Sequence, residues 1–194
     1  MNAKDQYSPE RIADRMAIQD VMYKWCRAID RLDDAGMRAA FHPDATDNHA
    51  AYVGGVEGLV KWVRERHAPI PFSSHQVSNM LIEFATADLA LAETYIRTLQ
   101  RYPADAKASL AQLAGGAAGK PGVGIDLLTA SRYVDRFERR KGEWRIARRT
   151  LIQDWKQFIE VPADAPKPQP GWLLGRRDRQ DFIYLERAAL GIED

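Results

Sequence analysis

The chain has 194 residues, enough for one domain of ordinary size, and its 28 basic and 27 acidic side chains leave a formal charge of +1. That balance excludes the strongly basic footprint of a nucleic-acid or anionic-lipid binder and leaves a small neutral molecule or a protein as partner. A single cysteine, Cys26, excludes a disulfide framework and suits a reducing cytoplasm. The N-terminal stretch lacks the apolar run of a signal peptide, and no segment reaches the ~18 consecutive apolar residues of a membrane helix, so a soluble, unprocessed protein away from membranes is expected.

From Ser8 to Leu32 the apolar residues Ile12, Met16, Ile18, Val21, Met22, Trp25, Cys26 and Ile29 fall at helical spacing after a Ser-Pro-Glu start signal. A short second helix, Asp34 to Phe41, should stop at His42-Pro43, because a residue before proline is pushed out of the helical region. The following HPDATDNHAAYVGG reads as a loop with at most a short strand. Val56 to His67 reads as a third helix with Leu59, Val60, Trp62 and Val63 as its apolar stripe, ended by Pro69 and Pro71.

The period then changes. Gln76 to Phe84, Leu89 to Tyr102, Asp126 to Arg139 and Glu143 to Phe158 alternate, are rich in β-branched and aromatic residues, and predict an antiparallel meander. Pro103 to Ile125 interrupts it with Ala, Gly and Pro. This stretch reads as a loop or lid, with Gly115, Gly116, Gly119, Gly122 and Gly124 and one helical turn around Ala108 to Leu113. The tail from Val161 is proline-rich and then apolar, which suggests an extension over its own domain or a neighbouring subunit. Residues 1–160 are therefore expected as one α+β domain and 161–194 as a C-terminal extension. Helices first and strands later imply helices packed on a curved antiparallel sheet, an arrangement that leaves a cavity.

Two residues sit where a polar group has little structural reason to be. Asp30 closes the amphipathic first helix, where the macrodipole disfavours a carboxylate, and His75 opens a strand. A carboxylate beside an imidazole is the simplest cofactor-free proton-transfer device, because the acid fixes the tautomer and raises the basicity of the base. His75 would then act as general base and Asp30 would hold its ring. Tyr23, Tyr52, Asn79, Tyr95, Arg97, Arg132 and Tyr133 form the pool for substrate binding. Asn79 shares strand parity with His75, with Val77 and Leu81 as apolar wall, and Tyr23 lies two helical turns before Asp30. His42, Asp44, Asp47 and His49 are ligand types, but their spacing matches no metal motif and reads as turn chemistry, with His49 or Asp47 at the pocket rim; no metal is expected.

The segments AIQDVMYKWCRAIDRLDDAGMRAAFHPDAT, SSHQVSNMLIEF and SRYVDRFERRKGEWRIARRTLIQDW resemble the SnoaL-like, nuclear-transport-factor-2-like superfamily over much of residues 11 to 156. The superfamily includes scytalone dehydratase, a hexachlorocyclohexane dehydrochlorinase, polyketide cyclases and ketosteroid isomerase-like proteins. The resemblance implies a cone-shaped α+β barrel against three N-terminal helices, with an interior pocket, commonly as a homodimer or homotrimer. It also implies that an Asp on the first helix pairs with a His on the first long strand, which look like Asp30 and His75. The second histidine of scytalone dehydratase, on a following strand, has no counterpart here, because no histidine follows His75.

The expectation is a cofactor-independent lyase or isomerase acting on a small hydrophobic, aromatic or polycyclic molecule. Elimination of water or halide and retro-aldol cleavage all fit. The rival is a non-catalytic assembly subunit or hydrophobic-ligand binder of the same fold, which would not need a buried Asp–His pair.

Overall fold

A computed structural model describes residues 6–114, 119–162 and 164–192. Helix α1 (Pro9–Arg31) begins where the Ser8 hydroxyl accepts from the Arg11 amide and Pro9 takes the first turn, and it ends with Leu32 in the left-handed region at φ 52°. Its stripe of Ile18, Met22, Trp25 and Ile29 is buried. Helix α2 (Asp34–Ala39) is capped by the Asp33 carboxylate. It stops two residues earlier than the sequence predicts, because Phe41 already belongs to a strand.

That strand, β1 (Phe41–Asn48), occupies the first half of the segment read as a loop, and β2 (Val53–Gly55) follows it as a short hairpin partner. Helix α3 (Val56–His67) comes next. The meander then runs through β3 (Phe72–Phe84), β4 (Leu89–Tyr102), β5 (Ile125–Arg140) and β6 (Glu143–Glu160). Within the lid segment the expected helical turn is a two-turn helix, α4 (Lys107–Ala114); Gly115 and Gly116 lie outside the described residues. The tail folds into helix α5 (Phe182–Ala189), capped by Asp181.

The architecture is α+β, with the N-terminal helices against a single curved sheet of order β2-β1-β6-β5-β4-β3 that stays open rather than closing into a barrel. Every pairing is antiparallel except β1 with β6, which is parallel. A parallel partner needs a long crossover, and α3 with the whole meander supplies it. The pairing recruits a strand too polar to announce itself: β1 reads FHPDATDN, and only four of its eight residues are buried.

The main core lies between α1, α3 and the concave face, where Trp25 meets Phe41 edge-on at 5.2 Å. A smaller cluster joins Ala106 and Leu110 to Tyr102, Ile125 and Leu127. Among the described residues, no helix is long and apolar enough to cross a membrane.

Candidate active site

Asp30 stands on the buried face of α1, next to Ile29 and at the helix's C-terminal end. A carboxylate there pays twice, once for desolvation and once against the helix dipole, unless donors surround it. They do. Asp30 accepts from the Ser73 hydroxyl at 2.9 Å, the His75 amide at 2.8 Å and His75 Nδ1 at 2.6 Å. Ser73 and His75 are alternate residues of β3, so the strand's period places both on the inner side. From the C-terminal tail, Arg177 donates to the carbonyls of Asp30 at 3.0 Å and Ile29 at 3.1 Å, setting a cation against the helix end.

Both Asp30 oxygens are met by donors on β3, and His75 turns Nδ1 to the carboxylate, leaving Nε2 without a hydrogen bond among the described residues. The two side chains are 11% and 6% exposed, shielded from bulk water yet reachable.

A polar network backs the pair. Gln100 donates to the Ser73 hydroxyl at 3.3 Å and also meets His67 Nε2. His67 is fully buried between two guanidinium groups, those of Arg177 at 2.8 Å and Arg66. Burial first, and the two cations after it, hold the His67 pKa well below that of an ordinary histidine. Burial also lowers Arg177 to about 10.

His75 borders two spaces. One is an outward-opening cavity of about 320 Å³ lined by Tyr23, Cys26, Arg27, Asp30, Arg31, His75 and Val77. The other is an interior cavity of about 60 Å³ inside the curve of the sheet, whose apolar wall includes Ile29, Ile96, Leu113 and Leu127, and whose polar groups include His49, Arg66, Ser131 and Tyr133. Cys26 is no nucleophile here, since burial first and nearby Asp30 second push its thiol up to about 12.

Of the residues expected to bind substrate, Tyr23 lines the outer cavity and Tyr133 the inner one. Five others are not brought to either. Asn79 is exposed because a bulge in β3 gives Ser78 and Asn79 one partner residue in β4. The alternation therefore changes phase: Val77 and Ile82 turn inward, while Leu81 is 59% exposed and forms no wall. Tyr95 and Arg132 stand on the outer face, where Arg132 pairs with Glu93 and Asp154 and lies over the Tyr95 ring; Arg97 is exposed. Tyr52 spends its hydroxyl on the Gly55 carbonyl at 2.5 Å and stacks on Trp62.

The four ligand types of the β1 region also separate. His42 bonds the Glu138 carbonyl and Asp44 pairs with Arg140 outside, whereas Asp47 and His49 pair with each other. Among the described residues, no group of three or more His, Cys, Asp or Glu side chains is placed to hold a metal.

Sequence reasoning passed over Arg66, His67, Gln100 and Arg177. Arg66 and His67 carried a signal, because they continue the i, i+4, i+7, i+8 stripe begun by Leu59 and Val63. Arg177 carried none, since it comes from a tail with no periodicity.

Residues 10–150 match the family profile described as a SnoaL-like domain. The chain belongs to the SnoaL-like family. Among solved structures it is similar to a hexachlorocyclohexane dehydrochlorinase, LinA type 2, at 21% identity and TM-score 0.63, over 84% of this chain and 98% of that one. LinA-type3 from Novosphingobium barchaimii LL02 matches at 20% identity and TM-score 0.63, over 82% and 98%. A scytalone dehydratase-like protein from Novosphingobium aromaticivorans DSM 12444 matches at 18% and 0.62, over 82% and 97%. At these identities the likeness speaks for the fold. No curated relative matches the sequence.

Proposed function

We propose that this SnoaL-like protein is a cofactor-independent lyase that eliminates water or halide from a small hydrophobic, aromatic or polycyclic molecule. The observation that carries the reading is the shielded Asp30–His75 pair at the wall of a largely apolar interior cavity. His75 Nε2 takes a proton from a carbon next to a leaving group, the C–H electrons form the new double bond, and the leaving group departs with its own pair. Asp30 holds the ring and stabilises the imidazolium. Isomerisation and retro-aldol cleavage begin with the same proton abstraction and belong to the same reading. The dehydrochlorinase and dehydratase-like neighbours support this class of chemistry. The buried thiol of Cys26 suits a reducing cytoplasm.

The test is a panel containing a hexachlorocyclohexane and a set of polycyclic β-hydroxy ketones, with product appearance followed for the native protein, His75→Ala and Asp30→Asn. Turnover should fall by about 10²–10⁴-fold in His75→Ala. Undiminished turnover in that variant would sink the reading.

One observation favours a further partner. Leu81, Leu91, Tyr95, Trp155 and Ile159 are exposed on the outer face of the sheet. These apolar side chains, set among the ion pairs of Arg132 with Glu93 and Asp154, fit a second copy of the chain, as a homodimer or homotrimer, or an assembly subunit's partner.

A further inference from the structure

The Asp30–His75 pair is not the only such pair on the interior cavity. His49 lines the same space, and its Nδ1 is bonded to the Asp47 carboxylate. Asp47 is 2% exposed, and its second oxygen, Oδ2, is buried with no hydrogen-bond partner among the described residues. A buried carboxylate with one bonded oxygen is costly; this one is hydrogen-bonded to the His49 ring and lies beside the buried Arg149 guanidinium, its register partner on β6. Beyond Asp47 the ring has aromatic neighbours, Tyr133 at 5.7 Å and Trp62 at 6.0 Å, both on the cavity wall. No hydrogen bond is formed by His49 Nε2 among the described residues.

The fold brings the two histidines to one space from distant strands. His49 directly follows β1, in a tight turn where Ala50 adopts φ 59°, and His75 is on β3. Four strand spacings separate β1 from β3 in the sheet, about 19 Å along its surface. Only the curvature brings both to one cavity, so a molecule inside would meet both imidazoles.

We propose that His49, oriented by Asp47, is the proton donor to the leaving group, so that base and acid are divided between two Asp–His pairs at one cavity. This inference rests on the reading of His75 as base. In dehydration, His75 Nε2 removes the proton from carbon and the C–H pair becomes the π bond. The C–O bond breaks with its electrons on oxygen, and the Nε2 proton of His49 imidazolium passes to that oxygen as water forms. The cycle ends with His75 protonated and His49 neutral, and solvent carries one proton from the first to the second. The substrate class is thus narrowed to molecules whose leaving group is a poor one, a hydroxyl above all, since chloride departs without a proton.

The experiment compares β-hydroxy and β-chloro derivatives of one aryl ketone in the native protein, His49→Gln, Asp47→Asn and His75→Ala. The glutamine amide can still donate to Asp47, which guards the fold. His49→Gln should lose dehydration by about 10²-fold or more and chloride elimination by far less. His75→Ala should lose both, and if it loses neither it is the base reading that fails. Equal losses on both ketones in His49→Gln, or none, would overturn the proposal. A second measurement is independent of turnover: 4-nitrophenolate, an aromatic oxyanion, is titrated into the ¹⁵N-labelled native protein. The His49 Nε2 resonance should lie at its protonated position in the complex, and affinity should drop in His49→Gln more than in His75→Ala. A His49 Nε2 signal at the deprotonated position in the complex, or no binding of the probe, would also overturn it.

Discussion

Arg149 and Asp135 form a two-pronged ion pair at 2.7 and 2.8 Å with neither side chain exposed, and the guanidinium lies 3.9 Å from the centre of the Tyr133 ring. A pair this deep adds little net stability, yet removing one partner strands the other charge. Asp135→Ala should therefore cost about 3–5 kcal/mol in urea unfolding, well above the effect of cutting the exposed Arg38–Glu57 pair. His67 gives a pH signature of its own. The folded ring resists a proton that the unfolded chain accepts near the ordinary value of 6.5. The unfolded state thus binds more protons below that pH, so stability is fully present above about 6.5 and is lost as pH falls beneath it. Denaturant midpoints taken across pH 4.5–7.5 should show this decline, and His67→Gln should flatten it; an unchanged slope would show that other groups cause it. Asp30 and His75 were legible in the sequence because each broke a local pattern. Arg66 and His67 broke one too, but at a helix end, where basic residues are ordinary.

The elements explain why part of the pocket was misplaced. Helices α1 and α3 and the four meander strands followed from periodicity, since each buries one apolar face. The β3 bulge did not, because an extra residue in a strand leaves no compositional mark, and it sent Asn79 outside. β1 was missed because its partner β6 comes about a hundred residues later and supplies the pairing that its own sequence does not advertise. The tail shows the same dependence on distant chain. Arg177 donates to carbonyls at the ends of both α1 and α3, those of Ile29, Asp30, His67 and Ile70, while Tyr184 bonds Asp33 at 3.1 Å and Arg31 pairs with Asp181. We propose that residues 161–194 act as an extension locked to the domain by this side chain. Arg177→Ala should cost about 1–3 kcal/mol through unsatisfied carbonyls, and limited proteolysis should then cut the proline-rich stretch 164–170 faster than in the native protein. Equal cleavage rates would deny Arg177 that role.

The open, curved sheet carries the interior cavity on its concave side and exposed Leu81, Leu91, Tyr95, Trp155 and Ile159, interleaved with charged side chains, on its outer side. If the outer face meets a second copy, Trp155→Lys should shift sedimentation toward a smaller species while leaving the far-UV circular dichroism in place; an unchanged sedimentation coefficient would assign that face another partner. Chain order adds a last consequence, and it concerns synthesis. His75 leaves the ribosome 45 residues after Asp30, but Arg177 only 147 residues after it. The carboxylate and its histidine can meet before β4 has emerged, whereas the helix end beneath them keeps bare carbonyls until Arg177 follows. A chain that stalls before Arg177 therefore carries the Asp30–His75 pair on an unfinished seat, and this half-built form is the one exposed to quality-control proteases.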